Sequence, residues 1–365
     1  MNKKCEQTNR KLYFDIIRIV ALLSIVMTHI SANIVIGFPD STKTEFIVGN
    51  IFNGLSRVGV PLFVMLSGAL LLNEDRPFSV KRFYRKSLLW MALLLIGWLA
   101  VYGAFYAFLM PMLVGGQPSW QAFSDYVFTF KGTNYPHLWY MFMIVGAYLF
   151  IPILRLFVKR ENRKYIFWMI VGSAVIQFTA KTADVLLSNT AVISVSGFLG
   201  KFHLEFLTGY IGYFLLGWYL SEYEIKKSHR SILYAVTAIT IAFSIFATQH
   251  WIAVIPTIRG NLYHELTLPP FIFGTAVFVL IKALCNGRIT DSNLIIRLST
   301  NSFGIYMIHV LYLELFTQVW FPYNGASIGV SAYILLSYLA VLSLSFITVW
   351  IIGKIPHIKK IFYLK

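Results

Sequence analysis

The chain has 365 residues, of which 58% are hydrophobic, 17% aromatic and only 13% charged, with a net charge of +16. Soluble domains carry roughly 25% charged residues, so this chain has too few polar groups to cover itself in water. That argues against a soluble enzyme or a nucleic-acid-binding protein despite the basic charge. Cys5 and Cys285 form no metal-ligand or redox spacing, so neither a disulfide framework nor a metal site is expected.

A hydrocarbon core of about 30 Å needs about 20 apolar residues per helix. Segments of that kind lie near 13–37, 46–72, 87–112, 138–158, 164–181, 204–221, 231–254, 268–285, 302–321 and 329–353. They predict an all-α integral membrane protein of about ten transmembrane helices. One membrane domain is expected over 1–365, with a short segment 1–12, a helical bundle over 13–353 and a tail over 354–365. If the N-terminus is cytoplasmic, 25 of the 31 Lys and Arg fall on that side, leaving Lys43, Arg57, Lys131, Lys181, Lys201 and Arg259. Basic residues collect on the cytoplasmic face, so both termini are expected there. The first apolar run is too long for a signal-peptide h-region, and no small-x-small cleavage site follows it.

Ionisable groups inside spans are costly, which makes each one a functional hypothesis. The first predicted helix carries Asp15, Arg18 and His29. Arg18 and His29 are eleven residues apart, three turns plus about 20°, so they share a face about 16 Å apart along the axis. Asp15 lies near the same stripe. Imidazole is the side chain suited to general-base work near neutral pH. The structural alternatives are that Arg18 snorkels and pairs with Asp15 at i,i+3, and that His29 is a hydrogen-bonded core histidine.

The second predicted helix reads Asn50-x-x-Asn53-x-x-Ser56-Arg57, with Pro61 following. Arg57 falls at a depth similar to His29. A buried guanidinium must meet an anion, a carbonyl or water, and its five fixed donors suit a carbonyl or phosphate oxygen. The alternative is a structural arginine bonding backbone carbonyls freed by Pro61.

Next comes the run Lys81-Arg82-Phe83-Tyr84-Arg85-Lys86. Such runs serve as topology signals or anionic-lipid contacts. On a helix, Arg82 and Arg85 would also project together toward a phosphorylated ligand. His137 and Trp139 open the fourth span near the outer face, where aromatics form interfacial belts. His203, Glu205 and His309 stand near or within later spans, each as suited to linking helices as to reacting. No Gly-rich phosphate loop, HExxH pattern or G-x-S-x-G elbow occurs.

Together these segments resemble the integral-membrane acyltransferase-3 family. The resemblance rests on Arg18 and His29 in the first helix, Arg-x-x-Arg at Arg82 and Arg85, and Ser-Arg-x-x-Val-Pro-Leu-Phe…Ser-Gly from Ser56 to Gly68. His-Leu-Trp-Tyr at 137–140 and Gly-Ile-Tyr-x-x-His at 304–309 also look like family segments. The matches run in order from residue 14 to about 310. The chain is most similar to stand-alone members that acetylate bacterial surface glycans, such as those acting on enterobacterial common antigen. Because it ends at Lys365, no appended hydrolase-like domain is expected.

The resemblance implies an acyl-CoA co-substrate, most often acetyl-CoA, with no metal. On that resemblance Arg82 and Arg85, with Arg18, are expected to meet the donor phosphates, His29 to be the general base on the acceptor hydroxyl or on a nucleophile in a relay, and Arg57 to stabilise the oxyanion or orient the thioester carbonyl. Asn53, His137 and Trp139 would line the acceptor site, with Asp15, Glu205 and His309 as further candidates. The acceptor would be a hydroxyl of a cell-surface glycan or lipid-linked saccharide, and the setting the lipids of a bacterial plasma membrane. A glycan or lipid-linked-sugar exporter without acyl chemistry is the alternative, although no paired inverted repeat is visible.

Overall fold

A computed structural model describes residues 10–129, 137–187, 195, 201, 209–252, 261–323 and 328–355. The described residues are helical apart from turns and one isolated antiparallel bridge, Lys11 with Ile289. Among them, nine helices are long and apolar enough to cross a membrane.

The first is α1 (Leu12–Gly37), unbroken over 26 residues, which at 1.5 Å per residue exceeds the hydrocarbon thickness. The predicted second span, 46–72, is two helices, α2 (Thr44–Ser56) and α3 (Gly59–Leu71). The break has a local cause. Pro61 has no N–H to offer the Arg57 carbonyl four residues back, and its ring crowds that carbonyl. Arg57 and Val58 accordingly relax to ψ of 7° and −16°.

Then follow α4 (Val80–Leu113), α5 (Trp120–Ser124), α6 (Trp139–Phe157) and α7 (Arg160–Leu186). α4 starts inside the basic run rather than at 87, because the Ser79 hydroxyl caps it by accepting the Arg82 N–H at 3.4 Å. The predicted span 204–221 is represented by α8 (Tyr210–Glu222); residues 202–208, with His203 and Glu205, lie outside the described residues. The remaining helices are α9 (Lys227–His250), α10 (Leu268–Cys285), α11 (Asn293–Trp320) and α12 (Val330–Ile352). α10 carries Pro in its first turn, where a missing N–H costs nothing, and ends at Asn286 in the left-handed region with φ 44°.

The chain groups into two compact units. One comprises Met1–Asp75 and Arg155–Ser299, the other Arg76–Leu154 and Thr300–Lys365. Within the first unit, α3 is clamped through glycines. A Cβ on Gly68 would lie 2.0 Å from the Phe214 carbonyl oxygen of α8, and one on Gly217 would lie 1.9 Å from the Met65 oxygen of α3. The two helices therefore cross backbone on backbone, the small-residue packing used inside membranes. At its start, Gly59 presses on Ile25 and the Ala21 carbonyl of α1, and Gly274 of α10 presses on Pro61.

Several basic residues that count toward topology also close helix ends in this unit. Arg155 Nη1 donates to the Leu71 and Asn73 carbonyls at 2.6 and 2.8 Å. Lys282 Nζ donates to the carbonyls of Leu220, Ser221 and Tyr223 at 2.8, 3.3 and 3.2 Å. Both cations satisfy carbonyls that a helix leaves orphaned at its negative end. Arg160 gathers Glu74, Asp75 and Glu222, and its hydrogen bonds hold the Asp75 carboxyl below the usual carboxylate range.

The second unit buries its polar groups by the same economy. Tyr102 donates its hydroxyl to the Met307 carbonyl at 2.8 Å. Tyr106 donates to Glu314 Oε1 at 3.3 Å.

Candidate functional site

Near the start of α1, Asp15 is 2% exposed and every face of its carboxylate is occupied. Arg10 donates through Nε and Nη2 at 2.7 and 2.5 Å, and the hydroxyls of Ser299 and Thr290 donate at 2.6 Å each. The partner of Asp15 is thus Arg10, in a bidentate pair, rather than Arg18 at i,i+3 as in the structural alternative. The physical reason is tertiary. The stretch before α1 runs extended beside residues 288–290, with Leu12 N–H bonded to the Arg288 carbonyl and Thr290 N–H to the Arg10 carbonyl. That carries the Arg10 guanidinium onto Asp15. Arg18 instead donates Nη1 to the Ser299 hydroxyl at 3.2 Å, so one hydroxyl bridges Asp15 and Arg18.

The unbroken α1 keeps Arg18 and His29 on one face, eleven residues and about 16 Å apart. Both are half-buried. One residue before His29, the Thr28 hydroxyl bonds to Ser56 Oγ at 2.8 Å and to the Ser56 carbonyl at 3.1 Å. Ser56 in turn immediately precedes Arg57. This bond between α1 and the end of α2 sets His29 and Arg57 at the same level of the first unit.

The Arg57 side chain is held from two sides. Its Nε donates to Asn53 Oδ1 at 2.6 Å, one turn earlier on α2. Its guanidinium carbon lies 5.4 Å from the centre of the Tyr263 ring, within cation–π range. No backbone carbonyl freed by Pro61 takes its protons among the described residues; the single hydrogen bond is the one to Asn53. Both Nη groups therefore keep their donors for another oxygen. Asn50, one turn before Asn53, is fully buried: it accepts the Tyr263 hydroxyl at 2.5 Å and donates to the Ile245 carbonyl at 3.0 Å and to Gln249 Oε1 at 3.3 Å.

The turn that carries Tyr263 is itself anchored. The Glu265 carboxylate accepts the Tyr210 hydroxyl at 2.5 Å, and the Glu265 carbonyl accepts the Tyr213 hydroxyl at 2.6 Å. His264 Nδ1 accepts the Leu266 N–H at 3.1 Å, and its Nε2 lies 3.2 Å from Lys181 Nζ. Burial lowers the His264 imidazole below its ordinary range, Glu265 opposing and Lys181 adding to the shift. The Tyr263 hydroxyl is pushed up to about 12 by burial, so it stays protonated and donates.

In the second unit, Arg82 and Arg85 are exposed at the start of α4, on either side of the buried Phe83. From Tyr84 to Leu88 the helix widens into a π-turn, with Arg85 inside it, as do several other helices of the chain. His137 is only 1% exposed. Its ring packs 4.7 Å from Tyr102, 5.3 Å from His309 and 5.7 Å from Tyr306, while its carbonyl accepts the Tyr306 hydroxyl at 2.5 Å. His309, fully buried, donates Nδ1–H to the Tyr306 carbonyl at 2.6 Å. His137 thus belongs to a buried aromatic cluster with Tyr102, Tyr306 and His309. Trp139 is half-buried beside Tyr140.

Sequence reasoning missed Tyr263 and Thr28. Thr28 adjoins the histidine that drew attention, and its hydroxyl in an apolar run was the available signal. Tyr263 lies in a short turn between spans, where no periodicity singles it out. Among the described residues no group of three or more His, Cys, Asp or Glu is arranged to hold a metal ion.

A protein-family profile described as "Acyltransferase domain" matches residues 11–352. No curated protein and no solved structure matches the chain significantly. The profile spans both units and nearly the whole sequence, from the pairing segment before α1 to the last residue of α12; the chain belongs to the acyltransferase-3 family and is a multi-pass membrane acyltransferase.

Proposed function

We propose that this enzyme moves an acetyl group from acetyl-CoA to a hydroxyl of a cell-surface glycan or lipid-linked saccharide, in a bacterial plasma membrane. The observation that carries the reading is the level shared by His29 and Arg57, with the Arg57 plane fixed and its Nη donors left available.

In this reading the acceptor oxygen attacks the thioester carbonyl carbon while His29 takes the hydroxyl proton. The carbonyl oxygen becomes an oxyanion, stabilised by the Arg57 Nη donors. When the carbon–sulfur bond breaks, the imidazolium returns its proton to the leaving sulfur, giving the O-acetyl glycan and free CoA. Arg18, hydrogen-bonded to Ser299, lies near the start of α1, where a donor phosphate is proposed to sit. Arg82 and Arg85 are proposed to add phosphate contacts of the same charge-assisted kind. The half-buried Trp139 remains the proposed stacking surface for a sugar, and Asn53 is assigned to holding Arg57. Family membership favours this over the exporter.

The test is acetyl transfer from radiolabelled acetyl-CoA in membranes of a strain that supplies its own surface glycans. Label in glycan only when the protein is present is the expected result. Unlabelled glycan reaching the surface in a protein-dependent way would overturn the reading in favour of a carrier.

A second expectation concerns the donor. Arg82→Ala with Arg85→Ala should raise the apparent KM for acetyl-CoA at least about 10-fold with little change in kcat, since charge-assisted hydrogen bonds are worth about 1.5–3 kcal/mol each. An unchanged KM would reduce the basic run to a topology signal.

A further inference from the structure

The motif Asn50-x-x-Asn53-x-x-Ser56-Arg57 places three polar side chains at successive turns of α2, and each has a different partner. Asn50 takes the Tyr263 hydroxyl at 2.5 Å, Asn53 takes Arg57 Nε at 2.6 Å, and Ser56 takes the Thr28 hydroxyl at 2.8 Å. Tyr263 closes this arrangement from the opposite side. Its hydroxyl is fixed by Asn50 and its ring lies against the guanidinium that Asn53 grips.

Three further observations show that the contact is built. Tyr263 is 4% exposed although it belongs to a turn between spans. Gly54 gives it room: a Cβ there would stand 3.1 Å from the Tyr263 hydroxyl and 2.6 Å from Ile245 Cγ1. Asn50 is itself braced, because Gln249, which accepts one of its protons, donates in turn to the Ser41 carbonyl. The loop before α2, the end of α9 and the 261–263 turn thus all bear on the orientation of one guanidinium.

We infer that Tyr263 is a positioning residue for the acyl-transfer step: held by Asn50, its ring keeps the Arg57 plane turned so that the Nη donors face the developing oxyanion. A guanidinium gripped only at Nε could rotate about its outer bonds. The aromatic face removes that freedom before the reaction, so no reorganisation is needed as charge develops. This inference rests on the role proposed above for Arg57.

The experiment uses the full-length protein in the same membranes and measures kcat and apparent KM for acetyl-CoA. Tyr263→Leu removes both ring and hydroxyl and should lower kcat about 100-fold, the scale of a misplaced catalytic group, with KM unchanged. Tyr263→Phe keeps the ring and should lose about 5-fold, the worth of one neutral hydrogen bond. In an Arg57→Gln background, Tyr263→Leu should cost nothing further, because residues that act through one another are not additive.

Wild-type kcat in Tyr263→Leu, beside a crippled Arg57→Gln, would overturn the positioning role and leave Arg57 in place. Equal losses from Tyr263→Leu with and without Arg57→Gln would overturn it as well. Wild-type kcat in Arg57→Gln would instead overturn the proposed chemistry itself. If Tyr263→Leu does not fold, Tyr263→Phe decides alone: a fall in kcat with KM unmoved supports the inference, and wild-type kcat overturns it.

Discussion

Gly68→Ala and Gly217→Ala are each expected to destabilise the protein by about 3 kcal/mol, the upper part of the range for overpacking, read as a loss of thermal stability in detergent. The reason is what the added methyl meets. At Gly68 it is the Phe214 carbonyl at 2.0 Å, and at Gly217 the Met65 carbonyl at 1.9 Å. A side chain can swing away, but a helix backbone cannot, so α3 and α8 must separate. Gly97 in α4 is the control: a Cβ there meets nothing within 4 Å, and alanine is the better helix former by about 1 kcal/mol. Gly97→Ala should therefore be neutral or mildly stabilising. The consequence reaches the chemistry, because α3 begins at Gly59, two residues after Arg57. A displaced α3 drags the break that presents the guanidinium, so any surviving Gly68→Ala protein should also lose activity. A Gly68→Ala protein as stable and active as Gly97→Ala would mean that the close crossing does not hold α3.

The parts of this arrangement that depend on local periodicity were legible in the sequence. The spacing of Arg18 and His29 needed only that α1 be continuous, which it is. The spans followed from hydropathy, because lipid demands helices of a given length. Pro61 was visible too, with its freed carbonyls as the structural alternative for Arg57; in the structure Arg57 Nε bonds instead to Asn53, one turn back on α2.

What could not be read were pairings set by distant segments. Asp15 has a cation three residues ahead and takes the one five residues behind, because residues 288–290 hold that segment extended. Tyr263 meets Asn50 across 213 positions of sequence. Which rings surround His137 was equally invisible, because Tyr102, Tyr306 and His309 come from segments far apart in the sequence.

His29→Ala is expected to lower kcat by about 10²–10⁴-fold, the usual worth of a positioned general base, with the apparent KM for acetyl-CoA unchanged. The competing account is that His29 is a half-buried histidine serving only to hold α1 in the bundle. The two separate on His29→Gln. Glutamine retains a hydrogen-bonding group of similar reach, so a purely structural histidine should be replaced with little loss. It cannot accept a proton at neutral pH, so a general base should not. Thr28 and Ser56 are untouched by either change, and their bond keeps α1 and α2 in register; a variant that folds normally therefore still presents residue 29 at the level of Arg57. Inactive His29→Gln with normal thermal stability, partly restored by added imidazole in His29→Ala, is the outcome that a proton-transfer role requires. An active His29→Gln would remove His29 from the chemistry, and the proton would then need another acceptor within reach of the oxygen that attacks.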